Sequence, residues 1–315
     1  MDLAIKVSYQ VVIIFLYMAV GFTLSKAKKL SDKGVSDITA VLLTLVTPCV
    51  LISSYQKKIP EYSPKLLSGL GMAALFTVLL HVIAIIIVSL IFKKEATGRY
   101  KVNIFASIYS NCGFMAIPIL SSVLGADGVF YGSSYLALFT FFYWTHGALV
   151  YSGSIKNLSS KELFLNPGVI GTLIALLLFL FKLELPVIVN DTVDGIAALN
   201  TPLSMIVLGT FLAKVNWKTA FFNPSLYLVS FLRLILIPLI SVFLIVGMNL
   251  IFPVNTLIAR SVLIPAACPA ATVAALFAAK YGSDAAYASE LVAISTLFSV
   301  LTLPLIMAVS TYFIG

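Results

Sequence analysis

Charge is what this chain has least of. Only 10% of its 315 residues are charged, against 61% hydrophobic. A water-soluble domain carries roughly 25% charged residues, so this chain has too few to cover a water-facing surface and reads as an integral membrane protein. At about 20 residues per span, it has room for about ten helices with short loops. Cysteine is scarce as well: Cys49, Cys112 and Cys268 each sit in an apolar segment. They make no disulfide framework, and no CxxC or Cys/His spacing offers a metal site. GxSxG, HExxH, Walker A and paired acids are all missing, which excludes the usual enzyme constellations and leaves no cofactor to infer. Without an ATP-binding loop, any transport is gradient-driven or passive. The net charge of +8 does not indicate nucleic-acid binding, because the basic residues are scattered over short connections.

What is present is a series of apolar runs punctuated by helix breakers. The first run lacks a basic leader and a small-residue cleavage site, so it reads as span one rather than a removed signal peptide. Span four, about 100–124, holds Ser110-Asn111-Cys112-Gly113-Phe114-Met115-Ala116-Ile117-Pro118. Pro118 has no N–H and clashes with the carbonyl four residues back, which predicts a bend or break there. Span nine, about 256–279, holds Ile264-Pro265-Ala266-Ala267-Cys268-Pro269-Ala270-Ala271-Thr272. The halves correspond in order: Thr47-Pro48 with Thr201-Pro202, Cys112 with Cys268, and Gly125-Ala126-Asp127 with Gly282-Ser283-Asp284, at offsets of 154, 156 and 157. The expected architecture is therefore all-α, ten transmembrane helices in a five-plus-five repeat: 1–151, a linker over 152–166, and 167–315. An odd number of spans per repeat inverts the second half, as in many secondary transporters.

Of the twenty basic residues, thirteen fall on connections after odd-numbered spans, six on the opposite face, and Arg233 within span eight. The positive-inside rule makes the odd connections cytoplasmic and both termini extracytoplasmic.

Breaking a helix at mid-membrane exposes N–H groups on one half and carbonyls on the other. The N–H end carries about half a positive charge and attracts anions. Two such breaks crossing would hold a carboxylate, with or without a cation. Asn111 and Thr272 add polar side chains, and Gly113 allows close approach. The competing reading is a pair of proline-kinked packing helices. Neither stretch holds Asp or Glu, which argues against a cation exchanger and favours an anionic substrate. The candidate substrate-binding set is Asn111, Cys112, Gly113, Ile117, Pro118, Pro265, Cys268, Pro269 and Thr272. Three further residues are candidates for a coupling or charge role. Arg233 would neutralise a substrate carboxylate, or snorkel or pair with an acid. His81 would relay a proton or serve as a hydrogen-bonded structural histidine. Glu290 would couple protons or simply face water. Coupling to H+ or Na+ is left open by these residues. Asp127 and Asp284 read as helix N-caps.

Asn111-Cys112-Gly113-Phe114-Met115-Ala116-Ile117-Pro118, followed by Leu124-Gly125, resembles the signature of the auxin efflux carrier (AEC) family. Asn166-Pro167 and the tail from Pro269 through Gly282-Ser283-Asp284 to Leu303-Pro304 are similar too, so the resemblance spans the chain. It is to the bacterial branch, related to plant PIN auxin exporters but without their long cytoplasmic loop. The resemblance implies a bile acid/sodium symporter-like fold in a bacterial inner membrane. Spans four and nine would cross in a transport domain of spans 3–5 and 8–10, against a scaffold of spans 1, 2, 6 and 7 that forms a homodimer. It implies transport of a small organic anion, such as malate or an auxin-like acid, by an elevator movement. The family's first-crossing asparagine and proline fall on Asn111 and Pro118, and its second proline on Pro265 or Pro269. Its second asparagine has no counterpart here. The alternatives from other classes are a passive anion channel and a membrane sensor or scaffold that does not translocate.

Overall fold

The computed structural model describes residues 2–92, 99–154 and 164–314. Most of the expected linker, and the basic residues Lys93, Lys94, Lys156 and Lys161, lie outside the described residues. The fold is all-helical, 86% helix. The main elements are α1 (Asp2–Lys26), α2 (Asp32–Val41), α3 (Thr47–Gln56), α4 (Pro64–Ile91), α5 (Arg99–Ile108), α6 (Ile117–Phe142) and α7 (Ala148–Ser152). They continue as α8 (Pro167–Leu180), α9 (Val187–Ala197), α10 (Asn200–Ala213), α11 (Trp217–Phe221), α12 (Pro224–Phe231), α13 (Ile237–Ile251), α14 (Thr256–Ala267), α15 (Val273–Lys280) and α16 (Ala285–Ile314).

Among the described residues, seven helical runs are long and apolar enough to cross a membrane, and α8 and α14 are shorter apolar helices. That is fewer than the ten spans expected above. The regions expected as spans four and five fall in one run, Cys112–Ser152, which kinks at Gly125 (φ 67°, ψ −157°), where the backbone leaves the helical conformation. Span six is 14 residues long. Span nine is interrupted between α14 and α15. Gly282 also has a positive φ of 65°, a conformation that glycine adopts without a Cβ penalty.

The interruption expected around Pro118 is present, but the chain opens just before it, at Tyr109–Asn111, and Pro118 itself sits in the first turn of α6. A proline removes one N–H and pushes against the carbonyl four residues back. Here a π-turn over Cys112–Ala116 widens the helix around Phe114, the residue that carries that carbonyl. Pro48 follows a π-turn over Leu42–Val46 and Pro238 one over Leu232–Leu236, each centred four residues before the ring. Pro265 likewise sits inside a continuing helix.

α1 and α10 pack backbone to backbone. A Cβ on Gly21 would collide with the Ile206 carbonyl, and one on Gly209 with the Met18 carbonyl. Small residues permit such approach where helices pack in lipid. α8 sits on α3 in the same way, with Gly171 against Pro48. Two ion pairs tie these helices at opposite ends. Lys214, after α10, meets Asp32 at the start of α2 (2.6 Å), and Lys57, after α3, meets Asp194 on α9 (3.3 Å).

Candidate functional site at the helix crossing

The two interrupted helices meet. α5 ends at Ile108; Tyr109 and Ser110 leave the helix, and Asn111 turns the chain (φ −78°, ψ 57°) into the π-turn that follows. α14 ends at Ala267, and Cys268 is extended (ψ 154°). The two non-helical stretches pair antiparallel, Ser110 opposite Ala270. Asn111 N–H donates to the Pro269 carbonyl (2.7 Å) and Ala271 N–H to the Tyr109 carbonyl (2.9 Å). Ala270 N–H donates to Ser295 Oγ (3.2 Å). Backbone freed by each break is thus satisfied by the other break or by a hydroxyl, as hydrocarbon requires. Of the two prolines left open above, Pro269 lies in the non-helical crossing, and Pro265 is one helical turn earlier.

Arg233 settles the opposite ends. It reaches from the π-turn Leu232–Leu236 and is fully buried. Its Nη1 donates to the Ile108 carbonyl (2.6 Å) and its Nη2 to the Ala266 carbonyl. These are the carbonyl ends of α5 and α14, which carry partial negative charge and have no intrahelical donors. Hydrogen bonds to a charged donor are worth about 1.5–3 kcal/mol each, and a buried charge without partners would cost several. Arg233 neither snorkels nor pairs with an acid among the described residues, and it does not line the cavity described next.

A cavity of about 490 Å³ lies on the N–H side of the crossing. Its floor is Ser110, Asn111, Gly113, Ala271 and Thr272. Here α6, through its π-turn, and α15 begin, and the first N–H groups of a helix have no intrahelical acceptor. Asn111 is 3% exposed, and its amide Nδ2 has no hydrogen-bond partner. The walls are mostly apolar, with Phe114, Phe139, and Leu208 and Phe211 from α10, and Thr47 and Thr140 among them. Asn166 and Tyr143 also line it, joined by a 3.1 Å hydrogen bond, and Asn166 caps α8. The exposed ion pair of Asp32 and Lys214 lines the cavity as well.

Of the nine candidate residues, Asn111, Gly113 and Thr272 line this cavity. Cys112, Ile117, Pro118, Pro265, Cys268 and Pro269 are buried in packing around the crossing. His81 is buried, with Nδ1 2.8 Å from the Thr77 carbonyl and its ring stacked on Phe142 at 4.9 Å. Glu290 lies at the surface, where it accepts a hydrogen bond from Thr219. Asp284 does cap α16, accepting from Tyr287 N–H, whereas Asp127 pairs with Lys58 at 2.7 Å. Reading the sequence missed the aromatic and leucine walls, because they come from helices far apart in the chain. Asn166 was visible only as an Asn-Pro helix start.

The model of the membrane transport protein family matches residues 6–160 and again 152–307. The chain belongs to this family, the auxin efflux carriers. No curated protein matches it. As an auxin efflux carrier family member it is a multi-pass membrane transporter, with a small-molecule substrate and the bilayer as its surroundings.

Proposed function

We propose that the chain is a secondary carrier for small organic monoanions, with the N–H side of the crossing as its binding site. The observation that carries this reading is the Asn111 side-chain amide, buried at the floor of the cavity with an unused donor. An unsatisfied buried donor costs about 1–3 kcal/mol, a cost a carboxylate oxygen would relieve. Two helix N-termini beside it favour the same charge. The walls argue for the body of the substrate. Phenyl rings and leucines suit an aromatic or branched apolar acid of auxin type better than a dicarboxylate such as malate, whose second charge would lie against them.

The finer architecture belongs to this reading. Ten spans in a five-plus-five inverted repeat account for the paired breaks, the glycine turns and the two ion pairs at opposite ends of the scaffold. Spans 1, 2, 6 and 7 form that scaffold and dimerise in the inner membrane. The remaining spans carry the site across by an elevator movement. With the basic face cytoplasmic and both termini outside, the cavity opens inward.

The test is counterflow in proteoliposomes with labelled indole-3-acetate and labelled malate. Asn111→Ala is expected to raise KM for the indole acid about tenfold, one charged hydrogen bond, with the substrate-free Tm raised, because an unpaired buried donor is removed. Wild-type affinity and rate in that variant would place the site elsewhere. Ion conductance without counterflow would mean a channel, and binding without either would mean a sensor.

A further inference from the structure

Both carbonyl ends at the crossing point at one place behind the cavity floor, and Arg233 fills it. Each of these ends behaves as about half a negative charge, so together they form a seat for one positive charge. Among the described residues, Arg233 is the one Lys, Arg, Asp or Glu buried within a span; Lys58, also buried, lies in the connection after α3 and pairs with Glu61 and Asp127. No carboxylate pairs with Arg233 among the described residues. Its Nη1 and Nη2 are both spent on the helix ends, at Ile108 and Ala266, and Tyr135, Cys112 and Cys268 surround it. A broken-helix carrier of this geometry otherwise meets that need with a bound alkali ion, because unwound carbonyls and helix C-termini coordinate such ions.

We propose that Arg233 is a tethered cation, holding the seat between the two carbonyl ends that a co-transported alkali ion would take, so that the carrier moves its anion without alkali-ion coupling. This rests on the carrier reading above. It also sets the charge balance. With a monoanion bound, the core of the moving body is neutral. Empty, that core carries one positive charge, so membrane voltage acts on the empty return step.

The experiment uses the full chain in two arms. In proteoliposomes, counterflow of labelled indole-3-acetate by the wild type is expected to be unchanged when choline replaces sodium, potassium or lithium at equal ionic strength. Arg233→Ala is expected to lose about a hundredfold in rate and to regain activity with free guanidinium or, in part, with sodium. A merely structural arginine would give no such rescue. Wild-type counterflow that requires an alkali ion overturns the inference, and so does Arg233→Ala with wild-type rate. The second arm is thermal unfolding of purified protein with no substrate present. Sodium or guanidinium should raise Tm relative to choline in Arg233→Ala and not in the wild type. This arm still decides the inference if no counterflow is found, an outcome that would sink the carrier reading alone. If Arg233→Ala does not fold, the wild type decides: a sodium-specific rise in Tm overturns the proposal, and its absence upholds it.

Discussion

At the scale of single residues, Asp284 serves two partners of unequal worth. Its carboxylate accepts from Tyr287 N–H at 2.9 Å and from Arg99 Nε at 3.1 Å. The backbone bond first, and then Arg99, hold its pKa below the ordinary 3.8. Arg99 is more than half exposed, and exposed pairs are worth about 0–1 kcal/mol. An N-cap replaced by alanine costs about 1 kcal/mol, so the cap is the larger part. A depressed carboxylate stabilises fully above its unfolded value and loses that stabilisation as pH falls through the folded one. Thermal melts should therefore show Asp284→Ala less stable than wild type at neutral pH, with the gap narrowing below pH 3.8 as the charge is lost and the neutral cap oxygen remains. Asp284→Asn should fall between them, keeping a cap oxygen and losing the charge. A gap of the same size in acid as at neutral pH would mean that the charge contributes nothing.

At the scale of elements, the breakers in the sequence were legible but their effects were not. Asn111, Gly113 and Thr272 lie where a polar interruption of an apolar helix suggested. The sequence places a bend or break at Pro118; the chain opens just before it, at Tyr109–Asn111, and accommodates the proline in a π-turn. Nothing local distinguishes those outcomes. The break is held by Pro269 and Ala271 from another helix, and a proline alone only forbids a regular α-turn. Arg233 was ambiguous for the same reason, since its partners are carbonyls 125 and 33 residues away. Glycines divide similarly. Gly209 faces the α1 backbone, with Phe22 N 2.9 Å from the place of a Cβ, whereas Gly71 in α4 faces open space. One substitution should thus have opposite signs. Gly209→Ala should destabilise by about 1–3 kcal/mol through overpacking, while Gly71→Ala should gain about 0.5–1 kcal/mol from helix propensity. Melting of the two purified variants in detergent checks this, and equal shifts would mean that α1 and α10 do not touch as described.

At the scale of the whole molecule, the question is whether the cavity belongs to a carrier or a pore. Its floor consists of backbone bonded across the crossing at 2.7 and 2.9 Å, and the exposed pair Asp32 and Lys214 lines it. A pore would need an opening through that floor. A carrier would need the floor to move with the bound anion while α1 and α10 stay locked at Gly21 and Gly209. Ser36, from α2, and Ser289, from α16, both line the cavity. In the elevator reading the first sits on the scaffold and the second on the moving body. The native thiols of Cys49, Cys112 and Cys268 are buried, so a single added cysteine can be followed against a low background. Ser36→Cys and Ser289→Cys are each expected to react with a membrane-impermeant maleimide from the cytoplasmic face alone. An outward gradient of transported anion should slow the reaction at Ser289→Cys, because that position is drawn into the membrane as the body rises. The control is a charged acid that does not compete in counterflow, which should change nothing. Equal labelling from both faces, insensitive to the anion, would describe a pore and would defeat the carrier reading.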